Sequence, residues 1–478
     1  MTTGWETRRL GDVCSFLNRG VSPKYIEAGG IVVLNQRCIR DHRVSFDVAR
    51  RHDITAKAVH NDRLLRPGDV LVNSTGTGTL GRVAQLRAPP TEPTTVDSHI
   101  TIVRPNLGLF FQEFFGYMLQ DVEDALKESG EGCGGQTELG RAVLAEKFSV
   151  RFPKSISEQQ RIVAILDEAF AGIATAKANA EKNLQNARAI FEGHLQAVFS
   201  QRGELASGGT PVQPQDNALR EIGTTPDDTE IVRLNAGYVT KTGGREATLR
   251  HIPGKLSLAV GMPNTGAKDG WRWSALTDLA RLESGHIPSR KHPEYWGGTV
   301  PWIGIQDARE HHGQRILNTL QKTNALGIAN SSTRVLPANT VCLSRTASVG
   351  YVVVMGRPMA TSQDFVNWVC SEELNPEFLK YLILAEGREG LLRYASGSVH
   401  QTIYFPEAKA FHICYPKPDE QVRIVRQCDA LRTETRRLVG IYERKLTALE
   451  ALKKSLLHRA FAGELTASKT TKLVEAVA

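Results

Sequence analysis

From Ile162 onward, apolar or small residues recur at steps of four and three: Ile162, Leu166, Ala169, Ile173, Ala176, Ala180, Ala187 and Ile190. A second run keeps the same register at Ile424, Cys428, Leu431, Leu438, Tyr442, Leu449, Leu452 and Leu456. No proline interrupts either run, and each closes on a phenylalanine, Phe199 or Phe461. Such spacing lays one apolar seam along a helix with a period of about 3.5, the pattern of coiled coils. Two helices of roughly 60 Å each are predicted. One seam is mostly Ala and Ile and the other richer in Leu, so the helices are expected to pack as an antiparallel pair, small against large. Two unrelated exposed helices would share neither the register nor the opening described next.

The first run opens Ser157-Glu158-Gln159-Gln160-Arg161-Ile162-Val163, and the second Asp419-Glu420-Gln421-Val422-Arg423-Ile424-Val425. Ser157 with Gln160 fits an N-cap and its N3 partner. The repeat reaches well beyond the helices. Gly4-Trp5, Leu10 and Asp12-Val13 align with Gly270-Trp271, Leu276 and Asp278-Leu279; Gly20 and Pro23 match Gly285 and Pro288. Pro67 to Leu71 resembles Pro337 to Val341, and each copy runs on into a Ser/Thr-rich loop and a glycine, Gly81 or Gly350. Gln136-Thr137 matches Gln401-Thr402, and Phe148 and Pro153 match Phe411 and Pro416. The period is too long for a solenoid. One domain-plus-helix unit is used twice.

Before each helix, β-branched runs bounded by Gly, Pro and Asn read as strands: Ile31–Leu34, Val70–Val72, Ile100–Val103, Val300–Ile305 and Tyr351–Val354. Phe110–Lys127 and Pro376–Tyr394 read as single helices. The expected fold is α+β: two pseudo-repeated mixed α/β domains over residues 1–155 and 271–416, each followed by a long helix, 156–202 and 417–465. A linker rich in Gly, Thr, Asn and Asp covers 203–270, with one strand-like piece at Lys255–Val260, and a polar tail covers 466–478.

Composition narrows the class only a little. Hydrophobic content of 41% and charged content of 23% suit an ordinary globular protein. No eighteen-residue apolar run or signal-peptide core is present, which points to a cytoplasmic protein without membrane contact. Seven scattered cysteines, never spaced CxxC, suggest a reduced setting without disulfide framework or zinc site. A net charge of +8 and a pI near 9.1 favour a polyanionic partner, though the excess is modest for this length.

No site for chemistry stands out. Gly76-Thr77-Gly78-Thr79-Leu80-Gly81 matches GxGxxG, but Arg82 to Leu86 behind it reads as a strand where a phosphate site needs a helix N-terminus. A hairpin tip is expected. Pro418-Asp419 with Glu443-Arg444-Lys445 mimics a nuclease pattern; on a helix, Glu443 and Lys445 point about 200° apart. His311-His312 is expected to be a solvated loop pair. Walker A and adenine-methyltransferase motifs are missing from the sequence.

Two variable domains, each followed by a helix opening Glu-Gln-x-Arg-Ile-Val, resemble the specificity subunit of type I restriction-modification enzymes. The segment Glu283 to Gly298, running into Val300 to Asp307, is similar to one class of target-recognition domain in that family. The helix endings Phe199 to Leu205 and Arg459 to Leu465 are similar too. The resemblance implies a non-catalytic subunit of a larger enzyme, whose two domains each read half of a split site in double-stranded DNA. The paired helices would hold the domains apart and dock two modification subunits, which carry S-adenosylmethionine and methylate adenine. Restriction (motor-nuclease) subunits would join to cut unmodified DNA. ATP and Mg, like S-adenosylmethionine, would belong to those partners; no cofactor and no metal is expected on this chain, and no catalytic residue.

Base contacts should come from Arg, Asn, Gln, Ser and Thr on loops, and phosphate contacts from Lys and Arg. In the first domain this selects Lys24, Tyr25, Gln36, Arg37, Arg40, Thr75, Thr77, Thr79, Arg82 and Gln136. In the second it selects Ser289, Arg290, Lys291, Tyr295, Gln306, Asp307, Arg345, Thr346, Ser348, His400 and Gln401. Tyr295 is equally readable as core, and any one Arg as a solvated charge. The rival reading is a coiled-coil scaffold whose two globular domains bind proteins; an enzyme using the Gly76 loop is a further alternative.

Overall fold

The computed structural model describes residues 4–130, 137–199, 258–260, 267–397 and 401–466. Two compact units divide the chain: 1–183 with 441–478, and 184–440. Both long helices exist, Ile156–Phe199 and Pro418–Phe461, and each begins in one unit and ends in the other.

In the first unit, Trp5–Arg9 pairs antiparallel with Ser149–Pro153. A four-stranded antiparallel sheet runs in the order Cys14–Arg19, Ile100–Pro105, Val70–Asn73, Val83–Gln85. A second sheet has the order Thr94–Val96, Ile31–Leu34, Arg50–His52, Tyr25–Ile26, its first two strands parallel. Alternate residues of the first sheet enter different cores. Val70, Val72 and Val103 pack with Phe114, Phe115 and Leu119, whereas Leu71 and Ile102 pack with Val32, Leu34 and Val96. A sheet covered on both faces is why its strands read as continuous apolar runs.

The second unit repeats this plan. Ala280–Ser284, Phe365–Cys370, Val341–Ser344 and Val352–Met355 stand in the same order, extended by Arg315–Ile316. Trp296–Ile303 runs parallel to Ala360–Thr361, as Ile31–Leu34 does to Thr94–Val96. Trp271–Ala275 pairs with Phe411–Pro416, which carries a third strand, Leu258–Val260. That strand lies inside the stretch expected to be linker, so the second domain's framework begins before Trp271. The rest of 203–266 and the tail from 467 lie outside the described residues.

Within each unit the start of one long helix packs against the end of the other. Ile162, Val163 and Leu166 share a core with Leu457, Ala460 and Phe461; Ile424, Val425 and Cys428 share one with Leu195 and Phe199. Phe114 meets Phe461 edge-on at 5.2 Å, and Phe378 meets Phe199 at 5.3 Å. The pairing is antiparallel, as expected. Ile162, Leu166, Ile173, Ala180, Ile424 and Leu449 are buried, and Leu431, Leu438 and Leu456 half-buried.

Four expectations are corrected. Ile190 is 52% exposed, and Phe191 takes its place. From Ala187 the inward positions are Phe191, Leu195 and Phe199, steps of four that turn Ile190 outward. The first helix is capped by Ser155, whose Oγ accepts the Glu158 N–H at 3.4 Å, not by Ser157. Phe110–Lys127 breaks at Val122 into Gln112–Asp121 and Glu123–Glu128. Pro376–Leu392 is interrupted by Gly387, at φ 67°.

Candidate nucleic-acid interface

Strand direction and register decide which loops meet. In the first domain Thr101 pairs with Arg19 and Ile100 with Asn73, while Val96 pairs with Leu34. The segments leaving Arg19, Leu34, Asn73 and Val96 therefore emerge at one edge. Gly20 makes this convergence possible, since a Cβ there would lie 2.0 Å from the Val96 carbonyl oxygen. The second domain does the same with Val366–Ser284, Phe365–Ser344 and Thr361–Ile303. Its Gly285 is bound by the same limit, 2.0 Å from the Ser362 carbonyl oxygen.

At the first edge, Gln36 Nε2 donates to the carbonyl (2.8 Å) and hydroxyl (2.6 Å) oxygens of Thr75. Thr79 Oγ1 donates to Gln36 Oε1 at 3.4 Å, and Thr75 Oγ1 meets His99 Nδ1 at 2.7 Å. Gln36 thus ties the 74–82 connector to the segment after Ile31–Leu34. That connector joins antiparallel strands, so the GxGxxG stretch is a hairpin tip, with Gly76, Gly78 and Gly81 all at positive φ. Arg82 donates to the Gly78 carbonyl at 2.9 Å. Arg37, Arg40, Lys24 and Thr77 are exposed, and Tyr25 lies with its ring 3.4 Å from the Arg50 guanidinium carbon.

At the second edge the Arg290 guanidinium lies over two indoles, 4.9 Å from Trp296 and 5.6 Å from Trp302, and donates to Gln321 Oε1 at 3.0 Å. Ser289, Lys291 and Gln306 are exposed, and His292 stacks on Tyr295 at 4.8 Å. Thr346 bridges to Thr402 and the Ala347 N–H donates to the Gln401 carbonyl, closing the 345–350 loop against the segment before Phe405–Lys409. The half-buried Ser348 accepts the Ser344 hydroxyl on its carbonyl.

Residues 2–185 and 268–442 match the family model of the type I restriction modification DNA specificity domain. The chain belongs to that family. It is 30% identical over 159 residues to the MjaIX specificity subunit of Methanocaldococcus jannaschii, covering 32% of this chain and 36% of that one. To the HindI specificity subunit of Haemophilus influenzae it is 22% identical, over 80% of this chain and 82% of the other. Among solved structures, a chain from a study of complex assembly and conformational transition of the type I R-M system superposes with a TM-score of 0.69 at 16% identity. It covers 97% of this chain and 99% of that one. The HsdS subunit of Thermoanaerobacter tengcongensis gives 0.52 at 15% identity, over 97% and 98%. At such identities these two superpositions establish the shared fold.

Within the two specificity domains some expected site residues stand elsewhere than at a free surface. Asp307 is buried; its Oδ2 accepts the Gly304 N–H (2.9 Å) and its Oδ1 the Leu320 N–H (2.8 Å), which makes it a helix cap. Arg345 is half-buried, its guanidinium over Phe405 at 5.2 Å and its Nη1 3.4 Å from the Ile403 carbonyl. The His311-His312 pair, expected to be solvated, is half-buried. His312 Nδ1 accepts the Val352 N–H at 3.2 Å, its carbonyl accepts Arg432, and burial with the neighbouring Arg432 holds its pKa below the ordinary value. Gln136 and His400 lie outside the described residues. His99, Arg50 and Arg388 were not singled out in the sequence, because strand pairing rather than any motif brings them to these edges. Among the described residues no helix is long and apolar enough to cross a membrane.

Proposed function

We propose that the chain is the non-catalytic DNA-reading subunit of a type I restriction-modification complex, with one half of a split, asymmetric site read by each specificity domain. The observation that carries this reading is the duplicated edge. The same strands deliver the same loops in both domains, but Gln36, Thr75 and His99 furnish one and Arg290, Gln321 and Gln306 the other. One framework with two loop sets suits two different ligands of one chemical class. The net charge of +8 fits a polyanion. A fused pair of unlike domains escapes the palindromes to which a two-fold homodimer is bound.

The outer faces of the long helices are the natural docking surface for two modification subunits, with S-adenosylmethionine, ATP and Mg carried by those and by the motor-nuclease subunits. Selection from a random duplex pool, with and without the host's modification subunits, tests the reading. Enrichment of a two-part motif separated by a fixed spacer is expected. Recovery of no common motif, or of a single uninterrupted one, overturns it.

A further inference from the structure

Each specificity domain has a cavity at its loop edge, and the two cavities are built alike. In the first domain it has about 330 Å³, between Arg40 and His42, the hairpin tip at Gly78 and Arg82, and the helical residues Glu123 and Lys127. In the second it has about 260 Å³, between Arg309 and His312, the connector at Ser348 and Tyr351, and the helical residue Arg388. Matched glycines fix the correspondence. A Cβ on Gly81 would meet the Lys127 backbone nitrogen at 2.6 Å, and one on Gly350 would meet Arg388 Cβ at 3.3 Å. Lys127 and Arg388 therefore hold equivalent places.

The two cavities differ in their carboxylates: two, Asp41 and Glu123, line the first and none lines the second. In the first cavity Glu123 accepts from Lys127 at 2.6 Å and His42 at 3.1 Å, and the Val83 N–H closes on the same carboxylate at 2.9 Å. Lys127 and His42 are thus engaged by a carboxylate of the cavity itself. In the second, among the described residues, neither Arg309 nor Arg388 has a carboxylate partner, and both are exposed. No acidic side chain stands among that cavity's lining residues. His312, accepting on Nδ1, keeps Nε2–H as a donor, and Ser348 adds a hydroxyl to the lining. Two guanidinium groups with further neutral donors suit a tetrahedral anion.

We propose that the Arg309–Arg388 cavity seats one backbone phosphate of the DNA at the second half-site, and that its counterpart around Glu123 seats none. This rests on the DNA-reading function proposed above. The second domain's loops then dock on a fixed phosphate, while the first domain's loops are oriented by Glu123 from inside the protein. Recognition would be unequal in its salt dependence, although the two domains share one framework.

The test uses the full chain, reconstituted with its modification subunits, and duplex carrying the mapped site. Arg309→Ala/Arg388→Ala should lower affinity for all base variants alike and make the slope of log K against log salt shallower by about 0.9, the value of one phosphate. Lys127→Ala should leave the slope unchanged. A neutral methylphosphonate placed at single phosphates of the second half-site should weaken wild type at one position and the double variant at none. An unchanged slope in the double variant, or an equal change in Lys127→Ala, overturns the proposal. So does stabilisation of the DNA-free wild type by inorganic phosphate with no effect of the variant on DNA binding, which would mark a free-anion site. A wild type that binds no duplex overturns the function itself, an outcome distinct from these.

Discussion

Gln159 and Gln421 are fully buried and make the same three hydrogen bonds, each in its own domain. Gln159 Oε1 accepts the Phe111 N–H at 2.7 Å, and its Nε2 donates to the Pro153 (2.9 Å) and Leu109 (3.3 Å) carbonyls. Gln421 repeats this with Asn375 (2.8 Å), Pro416 (2.9 Å) and Glu373 (2.8 Å). The amide welds the start of a long helix to the last strand of its domain and to the loop before the domain's own helix. Nearby, the Tyr117 hydroxyl donates to Asp167 and the Tyr381 hydroxyl to Asp429, a second tie at the same joint. Replacing Gln421 by Leu leaves the buried Pro416 carbonyl and the half-buried Asn375 N–H and Glu373 carbonyl without their partner. A loss of about 1–3 kcal/mol is expected, the cost of one buried polar group left unpaired. Arg423→Ala, which removes an exposed ion pair, should leave stability close to that of wild type. Urea unfolding of both variants checks it, and equal losses would refute the joint.

The opening Glu-Gln-x-Arg-Ile-Val was legible because each of its letters has a physical task. The Gln is the weld, Ile and Val enter the core, and Glu and Arg pair three residues apart on the outside, as in Glu420–Arg423 at 2.5 Å. The strands were legible as unbroken β-branched runs because both faces of the sheet are covered. What could not be read was anything set by a distant partner. His312 looks like half of a solvated pair until Arg432, from the second long helix, closes on it. Asp307 looks like a loop acid until the Leu320 N–H meets it. Ile190 fits the heptad, but the helix end packs on Phe378 and Trp271 as well as on the second long helix, and the inward face shifts by one residue.

That shift gives a direct contrast between two isoleucines of one predicted seam. Ile173→Asp places a carboxylate at a buried position, at a cost of several kcal/mol. The variant should be insoluble or fail to co-purify with the modification subunit. Ile190→Asp, at an exposed position, should change stability by less than about 0.5 kcal/mol. Soluble yield and co-purification decide it, and matching behaviour of the two variants would contradict the seam drawn here.

Domain exchange should alter one half of the recognised sequence and leave the other intact. Because Leu258–Val260 pairs in parallel with Phe411–Ile413, the exchanged block should run from 258 to 416 rather than start at Trp271. Cutting at 271 would leave the donor strand Phe411–Pro416 against a foreign neighbour, and a lower melting temperature is expected for that chimera. Mapping the methylated motif of both chimeras reads the outcome. A change in both halves would count against independent domains.

The carboxylate that orients the first domain's loops has a pH signature. Burial pushes the Glu123 pKa up, but hydrogen bonds from His42, Lys127 and the Val83 N–H outweigh it and hold it down from 4.5 to about 2. A group depressed in the folded state contributes stability above its unfolded pKa and loses it as pH falls through the folded value. Wild type should therefore lose melting temperature more steeply than Glu123→Gln between about pH 4.5 and 2. Parallel curves across the acid range would remove Glu123 from this role.

Arg290 is the best placed of the second domain's candidate base readers. Its guanidinium is held beside Trp296 and Trp302 and directed by Gln321, so less side-chain freedom remains to be lost on binding. One Nη is used by Gln321, and the rest of the fork is free to meet the O6 and N7 of a guanine, the commonest specific contact in the major groove. Arg345, by contrast, already lies over Phe405 with its backbone tied to Asp364 and Ile403. Arg290→Ala should cost about 1–3 kcal/mol against the native half-site and flatten the preference at one base pair. Arg290→Lys keeps the charge and loses the fork, so it should fail to restore that preference. Arg345→Ala should relax no position. Binding to every single-base variant of the second half-site, at two salt concentrations, separates these outcomes. A uniform loss across all variants with a shallower salt slope would make Arg290 a phosphate contact instead.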